Sequence, residues 1–169
     1  MSSDIRIRKG LDIQLEGKAE AITKPAPQAA VYGIKPAEFH RVIPKLIARE
    51  GATLKAGDAV FYDKRDERVL FPSPVSGTIT EIIRGERRKI LEIRITPDAT
   101  QSFHEYEKKQ VDSLSPEQIK EHLLQTGCWP LIKQRPYDVI ASVDSQPKAI
   151  FISACKTNPL APDYEYVLK

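Results

Sequence analysis

Lys55-Ala56-Gly57-Asp58 opens a run that continues through Val60-Phe61-Tyr62, then Val69-Leu70-Phe71, and ends at Pro72-Ser73-Pro74-Val75-Ser76-Gly77. Gly57-Asp58 is a turn signal, and with Gly51 it brackets a short segment. Val60-Phe61-Tyr62 is built from residues that fit a pleated, half-buried surface, which predicts a strand. The charged stretch Asp63 to Glu67 is expected to turn as a hairpin, with Val69-Leu70-Phe71 as the returning strand. Pro72 and Pro74 each fix φ and lack a backbone donor, so the chain must leave the ladder there and round a tight corner. After Gly77, Thr78-Ile79-Thr80-Glu81-Ile82-Ile83 resumes alternation, Arg84-Gly85-Glu86-Arg87 turns, and Leu91, Ile93 and Ile95 alternate with Ile90, Glu92 and Arg94. Short strands at near-regular spacing, punctuated by Gly and Pro, predict a small barrel or sandwich.

Upstream of this run, Val42 to Ala48 has the composition of a helix, but Pro44 in its middle would remove a helix hydrogen bond, so an extended segment is predicted. Thr23-Lys24-Pro25-Ala26-Pro27 reads as an extended linker. Ile5-Arg6-Ile7 and Ile13-Gln14-Leu15 alternate as strands do. Downstream, the character changes near Pro97. Ser115-Pro116-Glu117-Gln118 is a helix start, with serine as N-cap, proline at the first helical position and Gln118 placed for a capping box. Ile119, Leu123 and Leu124 form its apolar stripe, and Gly127 is its stop. Ala149 to Ala154 then reads as a fully buried strand of the kind found in parallel sheets. The chain is therefore expected to be α+β: a β domain over residues 1–100, then the opening of an α/β, Rossmann-like domain over residues 101–169. One buried strand makes no sheet, so the remaining strands are expected beyond Lys169.

The chain has 169 residues, 26 basic and 23 acidic, for a net charge of +3. These charges are interspersed, whereas nucleic-acid binding calls for a basic stripe. Thirteen prolines against eight glycines favour short strands over long helices. The N-terminus has no apolar leader region, and the apolar runs fall far short of the roughly 20 residues needed to cross a bilayer. A cytoplasmic protein is expected. Cys128 and Cys155 are far apart with no CxxC, which argues against zinc, an iron–sulfur cluster or a disulfide framework. His40, His104 and His122 are isolated. Neither GxGxxG nor GxxxxGK[ST] is present, so no dinucleotide or nucleoside triphosphate cradle is recognisable, and no catalytic triad pattern stands out.

From Pro44-Lys45-Leu46-Ile47 to Ile79, with Glu50-Gly51, Lys55 to Val60 and Phe71 to Ile79 as carrying residues, the chain resembles the barrel-sandwich hybrid, or lipoyl/biotinyl, domains. Carriers of that family expose a modified lysine at a hairpin tip. Lys64 stands in the corresponding place here, but without the family's flanking residues and on a short segment; the plainer reading is a solvated turn whose charges discourage edge pairing. Over nearly its whole length the chain is similar to the A subunits of the bacterial sodium-translocating NADH:quinone reductases. The residues that carry this are Ile7 to Asp12, Gly17, Phe61 to Lys64, Ser73 to Gly77, Arg84 to Arg88, Gly127-Cys128-Trp129, Arg135-Pro136, Ala149-Ile150-Phe151 and Thr157 to Ala161. The resemblance implies the N-terminal portion of a peripheral cytoplasmic subunit, held at the inner membrane by the other subunits. On this reading flavins and an iron–sulfur cluster belong to those partners, this chain binds no cofactor, and quinone is a possible contact. The C subunit of Rnf-type electron-transport complexes shares the barrel-sandwich start and is the alternative, as is a carrier-like binding domain; the Lys9-Gly10-Leu11-Asp12 opening favours the first.

Three places are candidate sites. Arg84-Gly85-Glu86-Arg87-Arg88 can meet an anionic partner or lipid phosphate, or be a hairpin with screened surface charges. Trp129 with Arg135 and Tyr137 sets aromatic surface beside a cation on a proline-stiffened loop, where a quinone head would stack and its carbonyls meet Arg135 or the Tyr137 hydroxyl. Core or interface packing is the plainer role of a lone tryptophan. Cys155 to Pro159 follows the expected buried strand, where α/β sheets bind ligands.

Overall fold

The computed structural model describes residues 20–153 together with residues 10, 15–17, 158, 160, 161 and 166. Residues 28–146 form one compact unit. Its centre is two antiparallel sheets sharing one apolar core. The first has β1 (Tyr32–Ile34), β7 (Ile90–Pro97), β6 (Gly77–Arg84) and β3 (Thr53–Leu54) side by side in that order. The second has β2 (Pro44–Leu46), β4 (Ala59–Asp63) and β5 (Asp66–Pro72). Val60, Phe61 and Phe71 enter the core from the second sheet, and Ile79, Ile93 and Ile95 from the first. Phe61 and Phe71 stack with ring centres 4.4 Å apart. Ile93 and Ile95 face inward as the alternation predicts, but Ile90 is buried and Leu91 exposed, the reverse of the predicted faces, where the β6–β7 register shifts between Ile83 and Arg84.

The predicted extended reading around Pro44 is found as β2, paired with β4. The hairpin is tighter than expected. Asp63 and Asp66 belong to the strands and pair with each other, leaving Lys64-Arg65 as a two-residue turn. Asp63 explains this, because its Oδ1 accepts the backbone N–H of Arg65 and that of Ile43, both at 3.2 Å. A carboxylate that satisfies turn donors in this way lets the ladder run further toward the tip.

The corner after Pro72 is held by its serines. Ser73 Oγ donates to the Val75 carbonyl at 2.6 Å. Fully buried Ser76 accepts at its Oγ from the Ser102 N–H, and its own N–H donates to Gln101 Oε1. Residues 101–106 therefore run as a strap across the corner and the Lys55–Asp58 turn. Ala56 N–H donates to the Ser102 carbonyl, His104 N–H to the Ala56 carbonyl, and the Tyr106 hydroxyl to the Gly57 carbonyl.

The helix α1 (Pro116–Gln125) begins as predicted. Ser115 Oγ accepts from the Gln118 N–H while the Gln118 side chain accepts from the Ser115 N–H. Gly127, at φ +69°, takes the left-handed conformation that follows the helix. Beyond it come a 3-10 turn (Trp129–Leu131) and a small hairpin of β8 (Lys133–Gln134) and β9 (Val139–Ile140). This group packs on β5, so the outer strand of the second sheet does not present an open edge. A side chain at Gly127 would lie 2.8 Å from the Pro72 ring, and Arg68 on β5 binds Asp144 with two nitrogens, at 3.1 and 2.8 Å.

A second expectation is corrected. Residues 149–153 are irregular rather than a buried strand, and Ile150, Phe151 and Ile152 are 80%, 89% and 81% exposed. An apolar run becomes a buried strand only where neighbours satisfy its backbone on both sides, and no strand among the described residues pairs with it. Ala154, Ile5-Arg6-Ile7 and Ile13-Gln14 lie outside the described residues; Leu15 is exposed and in no strand. The Thr23–Pro27 stretch is irregular, as a linker should be.

Candidate functional site

Two ends of the barrel carry chemistry, and the first is the β4–β5 tip. Its backbone is pinned to the second sheet, since the Lys64 N–H donates to the Ile43 carbonyl at 2.8 Å. Arg65 pairs with Asp63 at 3.4 Å. The Lys64 side chain itself is exposed, on a short and firmly tied turn.

The second lies around the β6–β7 turn. Gly85 N–H donates to the Lys89 carbonyl, closing a 3-10 turn over Glu86–Arg88. Arg87 and Arg88 have φ of 52° and 61°, and Arg41, in the turn leading to β2, has φ of 66°. Left-handed backbone at a residue with a Cβ costs roughly 1 kcal/mol, so three arginines hold conformations that glycine would adopt without strain. Two grooves open here. One, of about 170 Å³, is lined by Pro36, Phe39, Val42, Pro44 and Ile90, with Arg41 and Lys89 at its rim. The other, of about 360 Å³, is lined by Leu46 and Ile82 with Arg49, Glu50 and Arg84. Glu50 is engaged, accepting the Ile82 N–H at 2.7 Å. Sequence reading found Arg84, Arg87 and Arg88 as a run. It missed Lys89, which directly follows Arg88 in the chain, and Arg41 and Arg49, which only the fold brings to the same end.

Trp129 is 8% exposed, and its indole N–H donates to the Ala141 carbonyl at 2.8 Å. It stands in the core cluster between α1 and the β8–β9 hairpin. Arg135 and Tyr137 occupy the turn of that hairpin, Tyr137 being 62% exposed. The tryptophan and the other two thus belong to different surroundings: one is packed within, the others face solvent. Of the loop Cys155 to Pro159, only Asn158 is among the described residues. Cys128 is an exposed free thiol. Among the described residues no helix is long and apolar enough to cross a membrane.

Asp58 joins the strap to the barrel. Its Oδ1 lies 2.7 Å from His104 Nδ1 and its Oδ2 accepts the Lys55 N–H at 2.8 Å. Burial pulls its pKa upward, but the Lys55 N–H and the His104 ring together outweigh that and hold the carboxyl below the ordinary aspartate range.

Two antiparallel sheets wrapped round one core, joined through a serine–proline–glycine corner and followed by a capped helix, define a barrel-sandwich hybrid protein with an appended α/β element. Residues 5–98 match the family model for the NqrA N-terminal barrel-sandwich hybrid domain, and residues 114–169 match that for the NqrA second alpha/beta domain. The chain belongs to the NqrA family. It is similar to the A subunit of the Na(+)-translocating NADH-quinone reductase of Haemophilus influenzae (strain PittGG), 36% identical over 167 residues. It matches the same protein of Actinobacillus pleuropneumoniae serotype 5b (strain L20) at 36%, and that of Marinomonas sp. (strain MWYL1) at 34% over 165 residues. These alignments cover 98%, 98% and 96% of this chain, and in each case the chain spans 37% of the relative's length.

Proposed function

We propose that this chain works as the leading part of the NqrA subunit in a sodium-translocating NADH:quinone reductase, where it is a docking body without a redox centre. The observation that carries this is the unbroken likeness to such subunits over 98% of the chain, through both domain models in order. The division into a β domain over residues 1–100 and an α/β portion over residues 101–169 belongs to the same proposal. The subunit sits on the cytoplasmic side and reaches the membrane through its partners, which hold the flavins and the iron–sulfur cluster. The barrel supports the role as a rigid surface, its tip turn tied down rather than free to swing a prosthetic group. Quinone contact, where this portion makes it, falls to Arg135 and Tyr137 on the exposed β8–β9 turn, with Trp129 bracing that hairpin from below.

The test is to delete the reading frame that encodes this chain and isolate what remains of the complex. Loss of assembly, or of NADH-driven quinone reduction and sodium uptake in membrane vesicles, is expected. An intact complex with unchanged activity would refute the reading.

A further inference from the structure

The end of the barrel around the β6–β7 turn gathers cations from three separate segments: Arg41 before β2, Arg49 after it, and Arg84, Arg87, Arg88 and Lys89 at the turn itself. Elsewhere in the barrel arginines have partners. Arg65 pairs with Asp63, Arg68 with Asp66 and Asp144, and Arg94 with Glu81 and Glu92. None of these six is ion-paired with a carboxylate among the described residues. The acids of this end are Glu38, Glu50 and Glu86, and Glu50 is occupied by a backbone donor. Three of the arginines also keep left-handed backbone, a strain that persists where something other than local stability is served.

The shape narrows the partner. Pro44 and Leu46 stand on the same face of β2, with Lys45 between them facing out. Each lines one of the two grooves. Along β2 these two lining residues stand one two-residue repeat apart, roughly 7 Å. An extended segment laid along β2 would meet Pro36, Phe39, Val42 and Pro44 in one groove and Leu46 and Ile82 beside Arg49 and Arg84 in the other, with its carboxylates set against the cations. Apolar side chains also protrude here, Ile43, Ile47 and Leu91 being 50%, 49% and 42% exposed, so lipid vesicles are the competitor that separates a peptide partner from a membrane.

We propose that this end is a docking trough for an extended acidic segment of a partner polypeptide, one that alternates carboxylates with apolar side chains. The proposal stands on charge and shape alone, not on membership of a reductase, and its test does not involve the assembled complex. A fluorescent synthetic peptide alternating glutamate with leucine is titrated into the full chain and followed by anisotropy. Polyglutamate, phosphatidylserine vesicles and duplex DNA serve as competitors. The alternating peptide is expected to bind, to weaken as salt rises, and to outcompete all three. The double variant Arg87→Gly with Arg88→Gly removes two of the six cations gathered at this end, each worth up to about fivefold, for a loss of up to about 25-fold. Its urea midpoint should not fall, because glycine relieves the left-handed strain, partly offset by the entropy it adds to the unfolded chain. Absence of peptide binding, or equal binding by the double variant, overturns the proposal. Preference for vesicles or DNA also overturns it, assigning the surface to a membrane or a nucleic acid.

Discussion

Replacing Gly77 with alanine should be among the most damaging small changes in the barrel. Gly77 opens β6 and lies opposite Pro97 at the end of β7. A Cβ there would strike the Thr96 carbonyl oxygen, and would sit 2.8 Å from Pro97 Cα and 2.9 Å from the Thr96 carbonyl carbon. All three are backbone atoms, so no side chain can rotate away. Ordinary contact starts near 3.4 Å, and the strands must part by more than half an ångström to reach it. That movement also pulls on the Asp98 N–H to Ser76 carbonyl bond, now 2.9 Å. Overpacking of this sort costs about 3 kcal/mol at the upper end of its range, and a stretched hydrogen bond adds about 1 kcal/mol. Against a total of roughly 5–15 kcal/mol, this is a large fraction. With a urea dependence of about 1.5 kcal/mol per molar, the midpoint should fall by about 2.7 M. Gly51→Ala is the control. Gly51 has φ of +83° with nothing within 4 Å of an added Cβ, so its substitution costs only backbone strain, roughly 1 kcal/mol. Urea unfolding followed by the fluorescence of Trp129 and by far-ultraviolet circular dichroism measures both. If Gly77→Ala unfolds no earlier than Gly51→Ala, the close approach of β6 and β7 at the corner is wrong.

Acid stability should depend on Asp58. Its pKa is depressed in the folded chain, so its contribution is present above the unfolded value of about 3.9 and is lost as pH falls through the folded value. Asp58→Asn should flatten that acid limb in unfolding scans below pH 4, and an unchanged slope would mean the carboxylate is not held as described. Ser115→Ala removes one half of the capping box and should cost about 1 kcal/mol. Hydrogen exchange should quicken about fivefold in α1 and stay unchanged in β6 and β7; uniform acceleration would contradict a local cap. Lys64 should carry no lipoyl or biotinyl group, and the intact mass of chain purified from a ligase-competent host should equal that of the sequence.

Most of the β domain was legible because its signals are local. Alternation marked Ile93 and Ile95 as facing inward but put Leu91 rather than Ile90 on that side, because a register shift is not visible in composition; two prolines fixed where β5 ends, and Ser115 with Gln118 marked the helix start. What escaped depends on neighbours distant in sequence. Ile150-Phe151-Ile152 has the composition of a buried strand, but burial requires partners that composition does not report. Nothing in the periodicity of α1 says that it closes the outer side of β5, or that Gly127 must be small because Pro72 is there. The charged end was half visible. Arg84, Arg87 and Arg88 form a run that Lys89 extends, whereas Arg41 and Arg49 join them only because β2 is placed between them. Left-handed backbone favours glycine, asparagine and aspartate, so arginine gives no warning of it.

The barrel divides its tasks along β6. At the Gly77 end, the corner is fastened by Ser73, Ser76 and the strap through Ser102, His104 and Tyr106, each bond tying a side chain to backbone or backbone to backbone. At the Arg84 end, roughly 25 Å away along eight residues of strand, the turn holds cations with no acidic partner among the described residues and backbone that a glycine would hold more easily. Sites this far apart with no shared contact should respond independently. Gly77→Ala ought therefore to lower stability with little effect on what the trough binds while folded. Arg87→Gly with Arg88→Gly ought to weaken that binding without lowering stability. A combined variant whose losses failed to add would mean that strain at the arginine turn is transmitted through β6 to the corner, and that the two ends are one device rather than two.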